Sequence, residues 1–259
     1  MLTLFEHPLS PYAQKVKIAL YEKGIPFEAK IPDLFGETEQ VFLDSSPRRE
    51  VPTLVDGDFT VFDSTIILEY VEDRFPEPPL LPPTPRDRAR VRMLEEICDT
   101  YYEAINWGLA EIRVFNRAQG ALADEMIARA GKQLAGLHRW LERELDEREH
   151  FNGRTFGWGD LSVYPYAAAS ALWGFPPPTG SRLAGWLDRV AARDSARMCA
   201  EAVAAVMASF QDLGPLVEAG AFVREYRDHR LEWMIRSGGL DVVREGLEKN
   251  NIRFHVEID

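Results

Sequence analysis

A proline-rich segment at residues 76–85 constrains the fold more than any other feature of the sequence. It reads PEPPLLPPTP, with six prolines in ten positions. Such a composition cannot continue a helix, because proline lacks a backbone N–H, and it behaves as a stiff extended spacer. Strand-like and helical patterns alternate before this segment, whereas helical periodicity follows it over nearly all of the remaining chain. The sequence therefore predicts two folding units, one on each side of the prolines.

The first unit begins with a predicted β-α-β arrangement. The apolar run from Leu2 to Phe5 indicates a buried strand. Ser10-Pro11 marks the start of a helix, because serine is a favoured N-cap and proline suits the first helical position. Gly24 is placed to end that helix, and residues 25–31 indicate a second strand.

A hairpin and a further helix are predicted to complete the first unit. An irregular stretch is expected over residues 36–46, and residues 53–62 then indicate two strands around the turn Asp56-Gly57-Asp58. Ser64 is a second serine N-cap, and the helix that it starts is expected to close at Phe75. The predicted order is β-α-β-(α)-β-β-α, with an optional helix in parentheses.

Helices are expected to make up the rest of the chain. They are predicted at about 86–118, 122–149, 159–173, 182–192, 195–210, 222–236 and 241–248. The charged residues of the first of these, Arg88, Arg90, Arg92, Glu95 and Glu96, are interpreted as a solvated face. The final stretch IRFHVEI alternates like an edge strand or an extended arm. The predicted divisions are residues 1–77, a linker at 78–86, a helical domain at 87–213, and an extension at 214–259 that packs on the helical domain.

Composition narrows the possible partners. The net charge of -12 and the pI near 5.0 argue against nucleic acid or anionic lipid as a partner. No run approaches the roughly 18 apolar residues that span a bilayer, and the start MLTLFEHPLSPY lacks a basic signal region, so a cytoplasmic protein is expected. The two cysteines and five histidines are scattered without metal-ligand spacing, so neither a disulfide scaffold nor a metal site is expected.

Three motifs in the first unit carry a family resemblance. They are SPYAQKVKIAL from Ser10, SSPRREVPTLVDGD from Ser45, and FDSTIILEYVEDRFP from Phe62. The second corresponds to an N-P-x-G-x-V-P-x-L pattern and the third to an E/D-S-x-x-I-x-x-Y-L pattern followed by a proline linker. In this order they resemble the cytosolic glutathione transferase family, in a bacterial, serine-type form with a long C-terminal extension. The resemblance implies a thioredoxin-like domain followed by a helical bundle, which itself matches mainly in length and in GWGDLSVYPY from Gly157.

The resemblance implies which loops hold glutathione. Pro52 would be cis, so that the main chain of Val51 pairs with the cysteinyl part of the tripeptide. Asp63 and Ser64 would hold the γ-glutamyl end at the N-terminus of a helix, where an anion is favoured. An ordinary turn proline and a simple N-cap are the alternative structural interpretations.

Ser10 is implied as the residue that activates the thiol. A hydroxyl donor stabilises a thiolate over a thiol, so it lowers the thiol pKa and raises the reactive fraction near neutral pH. Helix capping alone is the alternative role. Tyr12, two residues on, is a second candidate donor, although it falls inside the first helical turn.

Two positions depart from the family pattern. Glu50 stands where the family has a lysine that contacts the glycyl carboxylate of glutathione, and two carboxylates repel. Either Arg49 or Arg48 could replace that contact, or the ligand is held more weakly or is not plain glutathione. In the helical domain only the aspartate of the usual S/T-x-x-D capping box remains, as Asp160, so we interpret Asp160 as structural.

The resulting expectation is a homodimeric glutathione transferase that needs no metal. It would use glutathione as co-substrate and add the glutathione thiolate to a small hydrophobic electrophile. Tyr101, Trp107 and Tyr164 are candidates for lining the electrophile pocket, although aromatics at helical spacing are also typical of a core. A glutathione-dependent isomerase, dehalogenase or etherase is an alternative. A further alternative is a non-catalytic binding or regulatory protein of the kind related to stringent starvation proteins.

Overall fold

A four-stranded sheet organises the first unit. The structure is a computed structural model that describes residues 1–32, 40–46, 48–209 and 229–249. In chain order its first elements are β1 (Leu2–Phe5), α1 (Pro11–Glu22), β2 (Phe27–Lys30), α2 (Gln40–Ser45), β3 (Thr53–Asp56), β4 (Phe59–Phe62) and α3 (Ser64–Arg74). The strand order is β2-β1-β3-β4, with β1 and β2 parallel and the other pairs antiparallel. The predicted thioredoxin-like arrangement is confirmed.

The optional helix of the predicted order is present. It is the six-residue helix α2, within the stretch expected to be irregular over 36–46, while residues 33–39 and 47 lie outside the described residues. The hairpin turn is tighter than predicted, because β3 runs on to Asp56 and β4 begins at Phe59. Gly57 adopts a φ of +64° there, a conformation that glycine reaches without a side-chain clash.

The second unit is helical throughout its described part. Its elements are α4 (Pro85–Ile97), a π-helical turn (Cys98–Tyr102), α5 (Glu103–Arg113), α6 (Gly120–Leu145), α7 (Trp158–Leu172), α8 (Arg182–Ala191), α9 (Asp194–Ser209), and two short helices at His229–Arg236 and Leu240–Glu248. The segment predicted as one helix over 86–118 is divided by the π-helical turn, a feature that often marks functional sites. The predicted strand-like stretch at 252–258 and the start of the predicted helix at 222–236 lie outside the described residues.

Helix α7 forms the centre of the molecule. Every residue from Trp158 to Ala167 is buried, as expected of a helix that is apolar on all sides. It packs against α1 of the first unit and against α4 of the second. One apolar core therefore runs through both units.

The start of α7 is fixed by the carboxylate of Asp160, which is fully buried. The carboxylate accepts hydrogen bonds from the main-chain N–H groups of Phe151 (2.9 Å) and Gly157 (3.1 Å), and from the indole N–H of Trp186 (2.8 Å). A fourth bond comes from the main-chain N–H of Asn152 at 3.3 Å. These contacts join α7, the loop before it and α8, and they agree with a structural role for Asp160.

A second buried polar cluster joins α6, the π-helical turn and α7. The Tyr102 hydroxyl lies 2.7 Å from Nε2 of His138 and 2.8 Å from the Ser170 hydroxyl. Burial lowers the pKa of His138 to about 4. The imidazole is therefore neutral in the folded protein over most of the pH range in which an exposed histidine becomes charged.

Acidification is expected to destabilise the protein through His138. Between about pH 6.5 and pH 4 the unfolded chain binds a proton at this residue and the folded protein does not. The free energy of unfolding therefore falls as the pH falls through this window, by up to about 3 kcal/mol in total. Urea unfolding at several pH values measures the effect. His138→Gln keeps a partner for the Tyr102 hydroxyl and is expected to flatten the dependence. An equal pH dependence in both proteins would contradict this role.

Within the described residues, no helix is both long enough and apolar enough to cross a membrane.

Candidate functional site

The strand register brings three loops together at one end of the sheet. Phe5, the last residue of β1, pairs with Thr53, the first residue of β3, and Thr53 also pairs with Phe62, the last residue of β4. The chain that leaves β1, the chain that enters β3 and the chain that leaves β4 therefore meet at the same end. These are the loops that carry the predicted site residues Ser10, Val51-Pro52 and Asp63-Ser64.

Ser10 is the N-cap of α1 and is half-buried. Its Oγ accepts a hydrogen bond from the main-chain N–H of Ala13 at 3.3 Å. This bond uses a lone pair of the hydroxyl and not its proton. Among the described residues the Ser10 hydroxyl donates to no other group, so capping the helix and donating to a ligand are compatible.

Tyr12 uses its hydroxyl for another purpose. The phenol O–H donates to the main-chain carbonyl of Asp99 at 2.6 Å, across the junction of the two units. Burial, together with nearby carboxylates such as Glu103 and Asp99, raises the pKa of Tyr12 far above its usual value. The phenol is thus a neutral group whose proton is already donated within the protein.

The second loop contains the Val51–Pro52 peptide bond, which is cis as the resemblance implied. Pro52 is buried and Val51 is half-buried. The side chain of Thr53 donates to the main-chain carbonyl of Glu50 at 3.0 Å, which fixes the entry into β3.

Asp63 and Ser64 form the start of α3. Asp63 has a φ of +73°, which is costly for a residue with a side chain and is typical of functional sites. Its Oδ1 accepts from the main-chain N–H groups of Thr65 (3.1 Å) and Ile66 (3.4 Å). The amide of Ser64 is not capped by this carboxylate, and the Ser64 residue is 6% exposed. Of the first three amides of α3, the Asp63 side chain therefore accepts from those of Thr65 and Ile66 and not from that of Ser64.

Arg48 links the second and third loops. Its Nε lies 2.7 Å from Oε2 of Glu50, and its Nη1 lies 3.5 Å from Oδ2 of Asp63. Arg49, the other candidate from the sequence, is exposed and has a φ of +52°. The structure thus places Arg48, rather than Arg49, between the two acidic residues of the site.

A buried ionic network lies beneath these loops. Lys15 in α1 is fully buried, and its Nζ lies 2.6 Å from both Oε1 of Glu95 and Oδ2 of Asp99. Thr65 in α3 donates to the same Glu95 oxygen at 2.9 Å. Burial alone would lower the pKa of Lys15, but the two carboxylates outweigh it and raise that pKa, so the lysine is charged.

Helix α7 completes the network from the second unit. The indole N–H of Trp158 donates to Glu95, and the Tyr166 hydroxyl donates to Asp99, both at 2.6 Å. The interpretation of Glu95 as part of a solvated face was therefore wrong, since this residue is 2% exposed. The helices that begin at Ser10 and Ser64 are both tied to the helical unit through buried charges.

Sequence reasoning missed Lys15 and Asp99, although one signal was available. Lys15 precedes the apolar residues Ile18 and Ala19 by three and four positions, so it lies on a buried face of α1. A lysine on such a face is rarely found without a buried partner.

The three aromatic candidates for an electrophile pocket differ in burial and in the elements that carry them. Tyr101 is half-buried on the π-helical turn, and Trp107 is half-buried on α5, with its indole N–H donating to Glu111 at 2.8 Å. Tyr164 is 4% exposed and belongs to the apolar core. Tyr101 and Trp107 are therefore partly accessible, whereas Tyr164 is a buried core residue. Among the described residues there is also no group of three or more side chains able to hold a metal ion.

The fold defines a thioredoxin-like domain, in which three loops meet at one end of the sheet, joined to a helical domain. The family model described as "Glutathione S-transferase, N-terminal domain" matches residues 4–79. A probable glutathione S-transferase of Oryza sativa subsp. japonica is 32% identical over 207 residues, which cover 75% of this chain and 87% of the relative. The chain belongs to the glutathione S-transferase family.

Solved structures show the same relationship. A glutathione S-transferase from Rhodospirillum rubrum F11 is 29% identical, with a TM-score of 0.68, and the match covers 77% of this chain and 91% of that one. A rice glutathione S-transferase solved in complex with glutathione is 30% identical, with a TM-score of 0.66 and coverage of 76% and 89%. A stringent starvation protein A homolog of Coxiella burnetii is 40% identical, but over only 94 residues, which cover 36% of this chain and 44% of the homolog.

Proposed function

We propose that this protein is a glutathione transferase that activates the thiol of glutathione and adds it to a small hydrophobic electrophile. The observation that carries the proposal is the meeting of the Ser10, Val51-Pro52 and Ser64 loops at one end of the sheet. The similarity to a rice enzyme crystallised with glutathione supports the choice of ligand.

In the proposed mechanism Ser10 holds the glutathione sulfur as thiolate. Its hydroxyl accepts from Ala13 and still has its own proton to donate to the sulfur. A donor at a helix N-terminus lowers the thiol pKa, because it stabilises the negative charge. Binding both reactants in one cleft then supplies proximity, and the chain forms no covalent intermediate.

The γ-glutamyl end of glutathione is assigned to the start of α3. Its carboxylate would accept from the Ser64 amide and hydroxyl, where the helix dipole favours negative charge. Its ammonium would face Oδ2 of Asp63, since Oδ1 of that residue is used in capping the helix.

The glycyl carboxylate of glutathione is assigned to Arg48. Glu50 alone would repel this carboxylate, but Arg48 lies against Glu50 and Asp63 and supplies the compensating charge. Arginine suits the role because its planar donors match a carboxylate.

Arg48→Ala is expected to weaken glutathione binding about tenfold, which corresponds to about 1.4 kcal/mol. Calorimetric titration measures the affinity, with Arg49→Ala as the matched control. Glutathione ethyl ester lacks the glycyl charge, so parent and Arg48→Ala should bind it equally well. Equal weakening for both ligands would show that Arg48 acts on something other than this carboxylate.

A homodimer is proposed through α3, α4 and β4. Phe59, Ile66 and Met93 are large apolar side chains that are 52%, 56% and 61% exposed. They belong to one surface, because Phe59 packs on Tyr70 in the same helix as Ile66, and α3 is paired to α4 by an ion pair beside Met93. Exposed apolar side chains grouped in this way mark interaction surfaces. In a twofold symmetric dimer, each copy buries this surface against the same surface of the other copy.

The dimer is tested by light scattering. The expected mass is twice the 29.5 kDa of one chain, and Ile66→Glu is expected to halve it. A mass of 29.5 kDa for the parent protein would contradict the proposal.

A conjugation assay with an activated aryl halide separates the enzyme from its alternatives. The transferase is expected to turn over this probe, and Ser64→Ala is expected to raise the KM for glutathione. The similarity of residues in the first unit to stringent starvation protein A homologs favours a regulatory protein as the second candidate. Glutathione binding without turnover of any electrophile would support that candidate.

A further inference from the structure

A cleft in the helical unit is lined by three arginines and has no part in the proposed function. Its volume is about 370 Å³, which is enough to hold a small molecule. We call it the arginine cleft, and its lining residues are Glu147, Arg148, Glu149, Arg182, Gly185 and Arg189. The arginines outnumber the glutamates here, although the whole chain has a net charge of -12.

One wall of the arginine cleft is a face of α8. Arg182, Gly185 and Arg189 are separated by three and four positions, so they lie on the same side of the helix. A side-chain carbon at Gly185 would lie 3.5 Å from Nη1 of Arg189, so this guanidinium extends back along the helix towards the glycine. The spacing therefore aligns two guanidinium groups along one wall.

The start of α8 does not supply the binding groups. Its main-chain N–H groups are already used, since the Glu142 carboxylate accepts from two of them at 3.0 and 2.7 Å. The Ser181 hydroxyl accepts from a third at 3.0 Å. Any affinity of the cleft for a ligand therefore depends on its side chains.

The other wall is the turn that follows α6. The main-chain N–H of Arg148 donates to the carbonyl of Leu145 at 3.1 Å, which fixes the position of this residue in the turn. The Arg148 guanidinium donates to the carbonyl of Glu144, and the Arg189 guanidinium reaches from α8 to the carbonyl of Glu149 at 2.9 Å. Neutral carbonyl groups thus orient both side chains.

The charges of these two arginines are not balanced by ion pairs. Within the described ranges neither Arg148 nor Arg189 forms an ion pair with a carboxylate. Arg148 is half-buried, and its Nε–H is buried without a hydrogen-bond partner among those same residues. Arg182 has an ion pair of 3.4 Å, but its partner Glu142 also accepts from the start of α8. Burying a charge without a counter-charge is unfavourable, so an anion is expected to bind here.

A fourth arginine adds to the positive charge beside the cleft. Arg90 in α4 donates to the same Glu144 carbonyl as Arg148, at 3.5 Å, and it also donates to the carbonyl of Phe151. Burial and the nearby Arg148 guanidinium lower the pKa of Arg90. Two guanidinium groups that share one carbonyl repel each other, and a bound anion relieves that repulsion.

We propose that the arginine cleft binds the phosphate group of a small phosphate monoester. Arginine suits this ligand because its planar N–H donors match phosphate oxygens. A phosphate monoester carries nearly two negative charges at pH 7, so it can pair with Arg148 and Arg189 from the two walls at once. Glu147 and Glu149 can accept hydrogen bonds from hydroxyl groups on the rest of the ligand. The proposal rests neither on transferase activity nor on glutathione binding.

Calorimetric titration with glucose 6-phosphate at low ionic strength tests the site. The expected dissociation constant is below about 1 mM, whereas glucose, which lacks the phosphate, should show no binding at that concentration. Gluconate carries a carboxylate on a similar six-carbon chain and is expected to bind at least about fivefold more weakly than glucose 6-phosphate. Saturating glutathione should leave the affinity for glucose 6-phosphate unchanged, because the proposed glutathione site lies in the first unit.

Substitutions identify the residues that bind. Arg189→Gln is expected to weaken glucose 6-phosphate binding about fivefold and Arg148→Gln about tenfold. Arg189 is exposed, so its variant is expected to fold as the parent does even where Arg148→Gln lowers the free energy of unfolding. Arg197→Gln is the matched control, since Arg197 is an exposed arginine of α9 that pairs with Asp194 and Glu201, and it should bind as the parent does.

Three results would overturn the proposal. They are no binding of glucose 6-phosphate by the parent protein, equal affinity in the parent and Arg189→Gln, and equal affinity for gluconate and glucose 6-phosphate.

Discussion

Asp160→Ala is expected to lower the free energy of unfolding by about 4 kcal/mol. The substitution removes the acceptor of four hydrogen bonds and leaves buried N–H groups without partners. The donors belong to three parts of the chain, so α7, the preceding loop and α8 all lose a fixed contact. An effect of this size is typical of a broken buried polar network.

Urea unfolding followed by circular dichroism measures the loss. Asp87→Ala is the matched control, since Asp87 accepts the Thr84 hydroxyl bond at the exposed start of α4. The control is expected to cost about 1 kcal/mol or less. A loss below 1 kcal/mol for Asp160→Ala would show that the buried carboxylate does not hold α7 in place.

Ser10→Ala is expected to reduce turnover with glutathione by about 10²- to 10³-fold. Losses of this size are typical when one hydrogen-bond donor that stabilises negative charge at a reaction centre, here the proposed thiolate, is removed. Glutathione affinity should change less than about threefold, because in the proposed site the binding contacts come from Ser64, Val51 and Arg48. The change should therefore appear in kcat at saturating glutathione and not in the dissociation constant.

Ser10→Thr is the control that separates catalysis from folding. Ser10→Ala also removes the N-cap of α1, which is expected to cost about 1 kcal/mol of stability. Threonine keeps both the cap and the hydroxyl, so it should restore most of the turnover. Full activity in Ser10→Ala would exclude Ser10 as the activating residue, and Tyr12 has no free proton to replace it, since its hydroxyl donates to Asp99.

Local signals were sufficient to predict most of the fold. Ser10 marks a real helix start as the N-cap of α1, because its side chain satisfies an N–H group that the helix itself leaves open. The predicted N-cap at Ser64 was wrong by one residue, since the Asp63 side chain caps α3 and Ser64 is its first helical residue. The hairpin turn and the helical periodicity after the prolines could also be predicted, because each is set by residues that are close together in the sequence. The short helix α2 could be predicted only as an optional element, because six residues give too little periodicity to distinguish a helix from a loop.

The ionic network under the site could not be predicted in this way. Lys15 and Glu95 are eighty positions apart, and each alone has the appearance of a surface charge. Only the packing of α7 against both α1 and α4 removes the two residues from water and makes them partners. Arg49 was named ahead of Arg48 as the replacement for the missing lysine for a related reason, since two adjacent arginines differ only in the direction that the folded loop gives them.

The most direct test of the site is the thiol pKa of bound glutathione, measured from the pH dependence of thiolate absorbance in the parent protein and in Ser10→Ala. The parent is expected to bind glutathione and to lower the thiol pKa by at least about one unit from its free value near 8.5. In Ser10→Ala the bound thiol should return close to the free value. A parent protein that binds no glutathione, or that leaves the thiol pKa unchanged, would contradict the proposed function.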